Sequence, residues 1–109
     1  MTNYSRGAAF ENRVAHDFER HGYVSIRAAG SHSPADVYAM RPGELILVQC
    51  KIDGRLDPLE WNGFLDYSER AGGLPIMAER QGRKIVYHLI TGRKDGTRKS
   101  QPMEDWSIE

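Results

Sequence analysis

Apolar positions recur every three to four residues over 5–21. Phe10, Val14 and Phe18 fall four apart, and Ala15 joins their stripe. The pattern predicts an amphipathic helix, with Ser5 as N-cap and Gly22 as its stop. The period then changes to two. Residues 23–28 place Val24 and Ile26 on one face. Residues 35–40 place Val37 on one face and Asp36 and Tyr38 on the other. Residues 45–51 are apolar on both faces, which predicts a central strand, and Arg41-Pro42-Gly43-Glu44 supplies the turn that leads into it. A second helix starts at Asp57-Pro58-Leu59-Glu60, with Asp57 as N-cap, Pro58 in the first turn and Glu60 at the capping-box position. Trp61, Phe64, Leu65 and Ser68 share one face of it, and Gly72-Gly73 ends it. Residues 74–79 and 84–90 read as strands joined around Gln81-Gly82. The order α-β-β-β-α-β-β predicts an α/β fold, a mixed central sheet flanked by helices.

Polar residues interrupt this pattern in one region. Residues two apart on a strand share a face, so Gln49 and Lys51 follow Leu45 and Leu47 on the same side. Pairing through the 41–44 turn puts Asp36 opposite about residue 49. An Asp, an amide and an ammonium then converge. Glu11 lies on the buried stripe of the first helix, where an unpaired charge is costly. Glu11, Asp36 and the Gln49 side-chain oxygen suit a divalent cation such as Mg²⁺, which binds through one or two carboxylates and retains waters. Lys51 could then stabilise charge on a phosphoryl group. Taken singly, Asp36 and Lys51 more often describe a salt bridge than a site, Gln49 a strand-end polar residue, and Glu11 the border of a solvated face. Spacing does not decide between these readings.

Length and composition narrow the field. A chain of 109 residues fits one domain with a modest core. Fifteen basic residues balance fifteen acidic ones, which argues against a nonspecific nucleic-acid coat but leaves room for a local basic face. One cysteine excludes an internal disulfide and fits a reducing, cytoplasmic setting. No signal peptide or membrane-length apolar run is visible. From Gly92 onward the chain is polar and charge-rich, so 1–91 is expected to form the domain and 92–109 a tail that is flexible, ordered by a partner or part of the domain. Cys50 points away from Gln49 and Lys51 and reads as a small buried hydrophobe. His16, His21, His32 and His88 lack zinc-ligand spacing.

The segments "RGAAFENRV", "IRAAGSHSPADVYAM", "LILVQCK" and "LDYSERAGGLPIMA" resemble archaeal-type Holliday junction resolvases, compact members of the PD-(D/E)XK nuclease superfamily. The likeness runs from about Arg6 to Ile90. It implies a restriction-endonuclease-like αβββαβ core and Mg²⁺-dependent cleavage of four-way DNA junctions in recombination, repair or replication, with Mn²⁺ a possible substitute. It implies metal ligation by Glu11, Asp36 and Gln49, catalysis by Lys51, and positioning of phosphate or water by Ser31. Arg6 and Arg27 resemble residues near the DNA backbone. Arg55 and the hairpin pair Arg83 and Lys84 are further DNA-contact candidates, and Arg93, Lys94, Arg98 and Lys99 extend the basic run. A junction is nearly two-fold symmetric, which implies a homodimer.

Three departures stand out. Gln49 occupies the usual position of a glutamate and removes one negative charge. Asn12 and Ala71 replace a basic and an aromatic residue. Same-fold cleavage of flap, nicked or duplex DNA, and branched-DNA binding without catalysis, remain as alternatives.

Overall fold

The computed structural model describes residues 3–28, 32–53, 55–95 and 101–109. Six strands form one sheet in the order β1-β2-β3-β4-β5-β6: Val24–Arg27, Val37–Arg41, Glu44–Lys51, Leu74–Gln81, Lys84–Ile90 and Met103–Trp106. Helix α1 spans Asn3–Arg20 and α2 spans Pro58–Ala71. The first three strands form an antiparallel meander. β3 and β4 then pair in parallel, with α2 as the crossover between them, and β4, β5 and β6 continue antiparallel. The sheet is therefore mixed, as the element order predicts.

Each helix buries its stripe on one sheet face. Phe10, Val14 and Phe18 of α1 pack on Val37, Ile46, Val48 and Ile76. Trp61, Phe64 and Leu65 of α2 pack on Leu47 and Met77 from the other side. Neighbouring residues of β3 thus feed opposite cores, which explains why that strand is apolar on both faces. Asp57 Oδ1 accepts from the Glu60 N–H at 2.8 Å, and Gly72 closes α2 with φ at 71°, a left-handed conformation suited to glycine.

One expectation needs correction. Helix α1 begins at Asn3, so Ser5 sits inside its first turn rather than at the cap. Val24 and Ile26 share a face of the edge strand β1, as expected, and that face is exposed, because α1 packs on the opposite one, where Arg27 meets Glu11. The end of the tail supplies β6, and Trp106 packs edge-on against Tyr87 and near Phe18. The segment before it is also built in. Gly92 accepts from the Trp61 indole N–H, while the Lys94 ammonium donates to the Leu56 carbonyl and lies 4.9 Å from the Trp61 ring centre. Among the described residues, no helix is long and apolar enough to cross a membrane.

Candidate active site

Asp36 immediately precedes β2, and its backbone is tied on both sides. Its N–H donates to the Val48 carbonyl at 2.8 Å, and its carbonyl accepts from Ala28 at 2.9 Å. Val37 pairs with Val48, so the same register carries Asp36 opposite Gln49, as the 41–44 turn predicts. The Asp36 carboxylate accepts the Cys50 N–H at 2.8 Å. Burial pushes its pKa up to about 6. The Cys50 hydrogen bond opposes that shift, the Glu11 and Glu60 charges reinforce it, and the Lys51 charge also opposes it.

A cavity of about 300 Å³ opens between the strand ends and α2. Asp36, Gln49 and Glu60 line it with Ser33, Gly63 and Phe64. A larger cavity of about 450 Å³ lies elsewhere, lined by Tyr23, Arg41, Glu44 and Trp106 among others. Its charged groups already satisfy one another: Arg41 pairs with Glu44, and Tyr23 donates to Glu44 at 3.1 Å. Volume therefore gives way here to the chemistry of the walls, and the smaller cavity is the candidate site.

Lys51 extends from the end of β3 on the Gln49 side. Its ammonium lies 3.2 Å from Glu60 Oε2. The salt bridge that Asp36 and Lys51 suggest in sequence is thus replaced by an ion pair across to α2. Glu11 finds a partner too. Its carboxylate accepts from Arg27 Nε at 2.9 Å, with both side chains mostly buried. Glu11 still acts on Asp36 through its charge, but it does not line the cavity. Arg27, a DNA-contact candidate in sequence, is held in this ion pair.

Ser31 lies outside the described residues, as do Arg98 and Lys99. Arg6 and Arg55 are exposed, and so are Arg83 and Lys84 at the β4–β5 turn. Arg13 reaches that turn from α1 and donates to the Arg83 carbonyl at 2.7 Å, adding a cation that the sequence reading passed over. Its seven-residue spacing from Arg6, two turns of helix, was the available signal. Two acids were also missed. Glu60 had a complete local explanation as a capping residue. Glu79 stands beside Lys51 in the parallel β3–β4 register, and its carboxylate is engaged by Gln81 at 2.9 Å and by His88 at 3.3 Å. Neither contact is visible without the tertiary fold.

Among the described residues, no three His, Cys, Asp or Glu side chains are grouped to hold a metal. The cavity instead presents two carboxylates and an amide oxygen, a hard-oxygen set suited to a cation that keeps much of its water. Those residues fit Mg²⁺ or Mn²⁺.

Residues 2–101 match the family model described as "Archaeal holliday junction resolvase (hjc)". Crossover junction endodeoxyribonuclease Hjc of Methanocaldococcus jannaschii is 30% identical over 88 residues, which cover 77% of this chain. The match spans 65% of that relative's length, just under two thirds. The crystal structure of Hjc from Archaeoglobus fulgidus, a Holliday junction resolvase, superposes with a TM-score of 0.69 at 17% identity, covering 94% of this chain and 86% of that one. At that identity the likeness concerns the fold.

Proposed function

Since the chain belongs to the archaeal Holliday junction resolvase family, we propose that it is a metal-dependent endodeoxyribonuclease that cuts four-way DNA junctions. The observation that carries this reading is the partly buried Asp36 carboxylate, which shares a cavity with Gln49 at the strand end that also bears Lys51.

Asp36 and the Gln49 amide oxygen would hold a divalent cation at the cavity. Bound there, the cation would supply Lewis-acid stabilisation of the phosphodiester and a more acidic water. The protein supplies the placement. The Cys50 N–H fixes the Asp36 carboxylate, and strand pairing fixes Gln49 against it. Lys51 presents an ammonium with three donors, suited to the non-bridging oxygens as charge accumulates on phosphorus. Gln49 donates no charge, so the cation affinity should be lower than with glutamate there.

With no net charge overall, DNA contact must be local. Arg83, Lys84 and Arg13 at the β4–β5 turn, with Arg6 and Arg55, are suited to the backbone. Two opposed strands of a junction must be cut, which requires two sites and hence a homodimer. Analytical ultracentrifugation should give a mass near twice that of the chain.

The test compares a labelled four-way junction with a linear duplex of matched sequence in Mg²⁺, Mn²⁺ and EDTA, using wild type and Asp36→Ala. Paired symmetric cuts in the junction alone, absent in Asp36→Ala, are expected. Junctions held tightly in EDTA but left uncut in either metal would replace this reading with structure-specific binding. Equal cutting of both substrates would assign a different DNA.

A further inference from the structure

The resolvase reading leaves a charge deficit on β3. With Gln49 neutral, Asp36 and Lys51 together sum to zero, a poor attractor for a dication. Three further carboxylates stand nearby. Glu11 is neutralised by Arg27 at 2.9 Å and stays outside the cavity. Glu79 is engaged by Gln81 and His88, and it too stays outside. Glu60 differs from both. It lines the cavity with Asp36 and Gln49, and its other oxygen contact is the Lys51 ammonium itself, at 3.2 Å. Its charge is also felt at Asp36.

We propose that Glu60 is the second metal-binding carboxylate of this site, supplying from α2 the charge that Gln49 withholds from β3. The inference rests on the resolvase reading of the cavity and adds a residue from a different element to it. Asp36 and Glu60 in the cavity, with the Lys51 ammonium paired to Glu60 beside it, sum to a net charge of minus one. Two carboxylates and one amide oxygen complete a set that leaves coordination positions for water and phosphate. Without DNA or metal, Lys51 neutralises Glu60. A cation entering the cavity competes for that carboxylate and frees the ammonium for the phosphate.

α2 is built to hold Glu60 in this position. Asp57 caps the Glu60 N–H, and Trp61, the next residue, is fully buried, which fixes the rotation of the first turn. Gly63 lies beside Glu60 in the cavity wall, and a Cβ there would meet nothing within 4 Å. The wall is open enough for hydrated ions.

The experiment measures Mn²⁺ affinity on the DNA-free protein, by the electron paramagnetic resonance signal of unbound Mn²⁺. Wild type is compared with Glu60→Gln, Gln49→Glu, their double variant and Glu79→Gln. Glu60→Gln keeps the capped N–H, and half of the side chain is in solvent, so folding is retained. Glu60→Asp serves as a second variant and should give an intermediate affinity. Glu60→Gln should weaken Mn²⁺ on the order of tenfold, Glu79→Gln less than twofold, and adding Gln49→Glu to Glu60→Gln should recover the wild-type affinity. The inference is overturned if Glu60→Gln stays within twofold of wild type, if the double variant shows no recovery, or if wild type binds no Mn²⁺. Junction cleavage is scored separately. A wild type that binds Mn²⁺ through Glu60 but leaves junctions whole supports this inference and removes the enzyme reading. One that cuts junctions while Glu60→Gln binds Mn²⁺ and cuts equally well does the reverse.

Discussion

A carboxylate that titrates near pH 6 rather than 3.8 favours the fold only while it holds its proton. Below pH 3.8 Asp36 is protonated whether the chain is folded or unfolded, and its burial costs little. Between there and pH 6 the folded state keeps the proton and the unfolded state releases it, so stability falls as pH rises. The shift amounts to roughly 3 kcal/mol at most. Asp36→Asn should therefore raise stability at pH 7.5 by about 1–3 kcal/mol and flatten its dependence between pH 4 and 6.5, read by urea unfolding. The same variant should lose junction cleavage. Metal affinity of the wild type should fall as pH drops through 6, because protons compete for Asp36. Lys51→Ala should reduce single-turnover cleavage by about 10²–10³ while leaving junction binding in EDTA nearly intact, since its proposed role lies in the charged transition state.

Glycine at the entry to β4 permits the parallel pairing of β3 with β4. A Cβ on Gly73 would run into Leu47 Cδ1 and come within 3.1 Å of Leu45 Cγ. Leu47 is fully buried beneath α2, so moving its δ-methyl aside disturbs the packing around Trp61 and Phe64. Gly73→Ala should cost about 1–3 kcal/mol by overpacking, and Asp57→Ala about 1 kcal/mol by loss of the α2 cap, both measured by denaturant titration. The cap, the glycine stop and the Trp61, Phe64, Leu65 stripe were all legible in sequence, because each depends on neighbours within a turn or two. The pairing of Asp36 with Gln49 was legible for the same reason, since a short turn fixes the register of the strands it joins. Glu60 was legible only as a cap. Its approach to Lys51 depends on how α2 docks on the sheet, which no local pattern encodes. β6 was missed because Met103–Trp106 lacks clean alternation and sits in a charged segment, while its stability comes from Tyr87 and Phe18 far earlier in the chain.

Across the whole molecule the last nine residues close the β5 edge and extend the α1-side core. Trp106→Ala should lower stability by about 2–3 kcal/mol, less than a fully buried tryptophan because Trp106 is only partly covered. Charge is arranged on the same scale. The molecule is neutral, yet Arg83 and Lys84 at the β4–β5 turn are joined by Arg13 from α1. Removing Arg83 and Lys84 together should reduce the slope of log affinity against log salt by roughly 2 for junction DNA, at equal stability. One further property follows from the strand that carries the site. Cys50 is the chain's sole thiol and is half-buried, and desolvation, with the Asp36 and Glu11 charges nearby, pushes its pKa well above the ordinary range. Little thiolate exists at neutral pH, so maleimide chemistry will largely pass it by. A cysteine introduced at an exposed position will take a fluorophore selectively in the otherwise native chain. That would make the proposed dimer assembly and junction binding observable by energy transfer, without first removing the native thiol beside Asp36.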